Sequence, residues 1–116
     1  MNAERPTIRL RVNDRVADTR IAEVLHGMEE EGVPFDVTRH AELNPLELAA
    51  KASLESRLGI GIGIGLDYVV ITTEKLPAAA PYLVATLNLT PASDRAAGAN
   101  AARLVKRMPL VTSPEN

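Results

Sequence analysis

From Thr7 to Val12 apolar and polar residues alternate, with Ile8, Leu10 and Val12 on one side and Arg9 and Arg11 on the other. That period of two predicts a strand covered on one face. Between Asp18 and Glu31 the period lengthens: Ile21, Val24, Leu25 and Met28 fall at i, i+3, i+4 and i+7, the stripe of a helix with one buried side. Asp14 or Asp18 can cap its start, and Gly32 stands where a left-handed C-terminal cap is needed. Val33 to Thr38 predicts a second strand, placed at a sheet edge because Pro34 lacks an amide donor. Strand, helix and strand in this order make a βαβ unit.

A second helix is predicted from Asn44-Pro45 to about Arg57: Asn44 caps, Pro45 suits the first turn, Glu47 completes a capping box and Leu43 staples to Leu48. Gly59 to Gly65 alternates glycine with isoleucine, and Tyr68 to Thr73 is aromatic and β-branched. Two strands therefore meet in a tight hairpin at Leu66-Asp67. Leu76 to Pro81 reads as a loop, Tyr82 to Leu87 as a fifth strand, and Thr90-Pro91 as the start of a third helix reaching Arg107. The tail from about 109 to 116 is expected to be flexible. Residues 1–116 thus predict a single layered α/β domain with five strands and three principal helices.

Composition narrows the function classes. A chain of 116 residues suits one core, and with Phe35, Tyr68 and Tyr82 as its only aromatics that core must be built from Ile, Leu, Val and Ala. Thirteen basic against fifteen acidic residues, a net charge of -2, leave no electrostatic footprint for nucleic acid or an anionic membrane. The absence of cysteine removes disulfides, thiolate nucleophiles and thiolate metal sites. No apolar run approaches the roughly 18 residues of a membrane span. The polar start, Met1 to Thr7 with Glu4 and Arg5, does not resemble a signal segment, so a cytoplasmic location is expected.

Three features invite a chemical reading. GIGIGIG lacks both the strand-to-helix turn of a dinucleotide fingerprint and the Gly-Lys-Ser/Thr ending of a phosphate loop. As a strand it turns Ile60, Ile62 and Ile64 to one face and leaves the other bare, so something approaches the backbone at Gly61 and Gly63. Two occupants fit: the third helix, with its small residues from Ala96 to Ala102, or a partner or ligand. Glu29-Glu30-Glu31 closes the first helix, where carboxylates oppose the negative end of the dipole. A hard cation such as magnesium, a basic partner surface or solvent alone can offset that cost. His26 and His40 stand fourteen positions apart, the first expected on the exposed side of its helix and the second in a loop, with no serine or carboxylate arranged as a triad. The residues point to no active site.

Taken together, MEEEGVPF (Met28 to Phe35), the glycine-alternating strand with KLPAAAPY (Lys75 to Tyr82), and GANAARLVKRMP (Gly98 to Pro109) resemble the small subunit of diol and glycerol dehydratase reactivases in order, spacing and overall length. The resemblance implies a three-layer α/β/α fold around a mixed, mostly parallel five-stranded sheet, like the core of the dehydratase medium subunit. It implies a hetero-oligomer: a non-catalytic chain paired with a large ATPase subunit that binds the ATP, the complex exchanging subunits with inactivated dehydratase to release damaged cobalamin. It also implies a magnesium ion at the large-subunit interface, reached by the glutamate at the Glu30 position; Glu29 and Glu31 beside it, and Gly61 and Gly63 on the bare strand face, are expected to be interface residues. The regular glycine strand is also similar to that of dehydratase medium subunits, where it faces cobalamin. A medium-subunit-like component is thus one alternative, and a free-standing ligand-binding module is another.

Overall fold

The computed structural model describes residues 6–111. In chain order the elements are β1 (Ile8–Asn13), α1 (Asp18–Glu31), β2 (Phe35–His40), α2 (Pro45–Glu55), β3 (Ile60–Gly65), β4 (Tyr68–Thr73), β5 (Leu83–Thr86) and α3 (Pro91–Lys106). The sheet order is β2-β1-β3-β4-β5, parallel from β2 to β3 and antiparallel from β3 to β5. Four strands therefore run one way and β4 runs against them. The edge position expected of the second strand holds, although its ladder begins at Phe35, after Pro34, whose carbonyl accepts from the Ile8 amide at 3.0 Å.

Crossover handedness fixes the layers. From β1 the chain steps to β2 on one side and then returns past β1 to β3 on the other, so two right-handed crossovers place α1 and α2 on opposite faces. α3 lies beside α1. Their backbones nearly touch: a Cβ added at Gly27 would collide with the Arg95 carbonyl, and one at Gly98 with that of Val24. The main core lies between this helix pair and the sheet, where Ile8, Leu10, Val12, Ile62, Ile64, Val69 and Ile71 meet Val24, Met28, Ala97 and Ala101.

The glycine face is covered by a different helix from the one expected. α2, not α3, lies on it: Cβ atoms at Gly61 and Gly63 would collide with the backbone at Ala49 and Ser53 and at Pro45 and Ala49. α3 is held away by the sheet itself, on the opposite face with α1. Gly61 and Gly63 are therefore buried packing positions beneath α2.

Helix ends follow local chemistry with three departures. Gly32 takes the left-handed cap of α1, and Thr90 with Ser93 forms a reciprocal capping box opening α3. Neither Asp14 nor Asp18 caps α1, whose N-cap is Ala17; the Asp18 carboxylate pairs with Arg39 instead. Asn44 caps α2 through the Leu46 amide, but its own amide donates to Glu42 Oε2 at 2.9 Å, so Glu47 closes no box. The tail is not free from Pro109. Asn100 holds the backbone of Val111 from both sides, at 2.6 and 3.1 Å, and Arg103 donates to the Pro109 carbonyl, pinning Pro109 to Val111 along α3. Residues 112–116 lie outside the described part.

Candidate functional site

The three glutamates at the end of α1 divide by direction. Glu31 turns toward α3, where it accepts from Lys106 at 2.7 Å and from Arg103 at 3.0 Å. Those bonds, Lys106 first, hold its carboxyl below the usual glutamate range against the opposing effect of desolvation. The helix-end cost is thus offset for Glu31 by the cationic last turn of the neighbouring helix. Glu29 and Glu30 point outward, exposed, and among the described residues neither side chain makes a hydrogen bond or ion pair, although the Glu30 charge acts on Arg95 across the surface. No group of three or more His, Asp or Glu side chains gathers to hold a metal among the described residues. Glu30 can supply one carboxylate to a hard cation, which takes about six oxygens, so the rest of such a shell must come from water or another chain.

The α2 face of the sheet holds two further surfaces. A helix with its side chains is about 10 Å wide and strands are spaced about 4.8 Å apart, so α2 covers only the middle strands, packing on β1, β3 and β4. On the β1–β2 flank, Arg11 donates to both oxygens of Glu55 at 3.1 and 2.6 Å and lies 3.2 Å from His40 Nδ1. An arginine can only donate, so Nδ1 accepts and the other ring nitrogen donates to Thr38 Oγ1, 2.7 Å away. His40 is the last residue of β2 rather than part of a loop, and it is built into this network. His26 is exposed, as expected, beside Glu23. Asn13 is nearly buried, and its amide donates to the Glu42 carbonyl at 2.8 Å, tying β1 to the loop before α2.

The β4–β5 flank is the opposite. In register across the ladder, Val70 faces Val84 and Tyr68 faces Thr86, all on the α2 side. Val70 is fully buried, whereas Val84 is 51% exposed, and Tyr68, Tyr82, Leu66 and Leu43 are also about half exposed. No charged residue occurs among the eighteen from Leu76 to Ser93, and sixteen of them are at least partly exposed. That uncharged run is visible in the sequence, and it is the signal that motif-by-motif reading passes over.

The comparisons with known proteins decide the family. The model of the dehydratase medium subunit family matches residues 5–111. The diol dehydratase-reactivating factor small subunit of Klebsiella michiganensis is 36% identical over 109 residues, which span 94% of this chain and 86% of that one. This chain belongs to the reactivating factor small-subunit family. A second member, the propanediol dehydratase-reactivating factor small subunit of Citrobacter freundii, is 37% identical over 88 residues, 76% of either chain. In the solved structure of diol dehydratase-reactivating factor complexed with ADP and Mg2+, one chain superposes with a TM-score of 0.87 at 36% identity, covering 92% of this chain and 98% of that one. A glycerol dehydratase reactivase chain superposes equally well at 32% identity. The mixed five-stranded sheet with three helices is thus the fold of reactivating factor small subunits. No helix among the described residues is long and apolar enough to cross a membrane.

Proposed function

We propose that this chain is the non-catalytic small subunit that pairs with a large ATPase subunit, and that the pair releases damaged cobalamin from inactivated diol or glycerol dehydratase by subunit exchange in the cytoplasm. The observation that carries the reading is agreement over nearly the whole length, in sequence and fold, with small subunits named for reactivating a dehydratase. The match to the dehydratase medium subunit model supplies the logic of exchange: a chain shaped like the medium subunit can compete for the surface that subunit occupies. The same match keeps a dehydratase component as the second reading, and recovery of dehydratase large and small subunits with the tagged chain, in place of an ATPase, would favour it. A free-standing module using the glycine face has no support, because α2 fills that face.

Glu30 is the residue of this chain assigned to the interface, with Glu29 beside it. Its carboxylate is exposed and uncommitted, whereas Glu31 is spent on Arg103 and Lys106. A magnesium ion there would supply positive charge shared between two chains, and Glu30 would contribute one oxygen ligand; ATP belongs to the partner. The test is calorimetric titration of wild-type and Glu30→Gln chains into the large subunit, with magnesium and with chelator. A weaker Glu30→Gln complex, with the difference erased by chelator, is expected. Equal affinities under both conditions return Glu30 to the status of a solvated helix end.

A further inference from the structure

The outer edge of β5 is an unused half of a β-ladder. The Leu87 amide donates to the Asp67 carbonyl at 2.7 Å, and antiparallel alternation then turns the backbone groups of Leu83 and Ala85 toward β4 as well. Those of Val84 and Thr86 point away from the sheet, and they have no hydrogen-bond partner among the described residues. The opposite edge strand is guarded: β2 carries Asp36, Arg39 and His40, and Pro34 stands at its entry. β5 is LVAT, inside the eighteen-residue run without charge. An open edge with no guarding charge is available for pairing, although β5, at four residues, is short.

We propose that β5 receives an extended, uncharged segment of the large subunit as a sixth strand, with apolar side chains of that segment lying over Val84 and Tyr68. This rests on the reading that the chain pairs with a large subunit. Outward N–H and C=O groups in strand geometry are complementary to another extended backbone. Size shows what the occupant must cover. Four residues of edge fall well short of the ~20–30 residues per side of a stable interface, so strand pairing must extend over the neighbouring loops. The whole uncharged run, with Leu43, Leu66 and Tyr68 beside it, approaches that size, and it suits one large partner that covers strand and loops together. Absence of charge is the composition of an interface core rather than a rim.

The test combines hydrogen exchange with affinity, on the full chain alone and with the large subunit. In the complex the amides of Val84 and Thr86 are expected to slow at least about tenfold, while Ala85 and Leu87, already bonded to β4, change little. Val84→Pro deletes an outward donor without touching the β4 ladder, and Val84→Lys keeps the donor but guards the edge; each is expected to weaken the complex at least about tenfold. Two variants keep the test alive if the proline disturbs folding. Wild-type binding matched by both variants, with Val84 and Thr86 unprotected, overturns the edge assignment and leaves the pairing intact. Failure of the wild-type chain to bind the large subunit removes the pairing itself. Protection that appears in the isolated chain, grows with its concentration and is lost in Val84→Pro overturns the assignment in favour of a second copy.

Discussion

On the β1–β2 side of α2, Arg11 engages Glu55 and His40, and Thr7 donates to Asp36; on the β4–β5 side, Tyr68, Tyr82 and Val84 stand half exposed, and neither β4 nor β5 carries a charge. Both flanks arise from the same geometric fact, one helix laid over the centre of a five-stranded sheet. They solve the resulting exposure differently. On the first flank Arg11, Glu55 and His40 satisfy one another, while Arg9 Nε lies 4.0 Å from Asp36 without a hydrogen bond. The second leaves apolar surface, and edge backbone groups that face water in the isolated chain. Uncovered sheet is therefore not in itself a binding surface; what matters is whether the chain has supplied its own partners.

The comparison depends on α2 staying seated, and the largest predicted effect comes from lifting it. A methyl group at Gly63 would run into backbone atoms of Pro45 and Ala49, which cannot swing aside as a side chain can. Gly63→Ala is expected to cost about 3 kcal/mol, the upper part of the overpacking range. Urea unfolding would measure it, and a midpoint unchanged from wild type would mean that α2 packs less closely than the glycine face requires.

Much of this architecture could be read from residues alone. The hairpin at Leu66-Asp67 followed from two strand-like runs meeting there, even though Leu66, with φ 54°, and no glycine takes the left-handed position. Gly32 and Thr90-Pro91 marked helix ends because capping is local chemistry. The helix over the glycines was not legible in the same way, since both α2, with Ala49, Ala52 and Ser53, and α3 offer small residues. Only the reversal of strand order at β1 decides between them, and strand order is a long-range property. The division between Glu30 and Glu31 was hidden for a similar reason: the cations that claim Glu31 lie on α3, 72 and 75 positions away. Periodicity could place three carboxylates on one helix end but could not tell which of them folding would neutralise.

The next effect in size breaks the self-satisfied flank. Arg11→Met removes the paired bonds to Glu55 and the donor to His40, and is expected to cost about 1 kcal/mol at neutral pH, since the pair is partly exposed. It should also change the acid limb of stability. The bond from Arg11 holds the Glu55 carboxyl below the usual range, against desolvation. With a depressed folded value, the unfolded state binds more protons through the acid window. The stabilisation is therefore present above the ordinary glutamate pKa of about 4.3 and is lost as pH falls through the folded value. Arg11→Met is expected to flatten that fall, leaving the share that comes from Glu23 with Arg95 and Glu31 with Lys106 and Arg103. Urea midpoints collected from about pH 6 down to about pH 3 would record both. An acid limb as steep as wild type's would mean that the Arg11 pair is not formed in solution.

The smallest effect belongs to the bare flank, and its smallness is the point of the comparison. Val84 faces Val70 across the ladder, yet α2 buries the one and leaves the other about half exposed. A lysine at position 84 can lay its stem along the strand and carry its ammonium into water, so Val84→Lys is expected to change the stability of the isolated chain by less than about 0.5 kcal/mol. Thermal and urea unfolding of the isolated variant, at the neutral pH used for Arg11→Met, would measure this. A loss above about 1 kcal/mol would show that Val84 already packs within its own chain. In that case the β4–β5 side would be as self-sufficient as the β1–β2 side, and the contrast between the two flanks would disappear. A variant that folds like wild type would instead place whatever value Val84 has outside the isolated domain, in contacts that the chain does not make with itself.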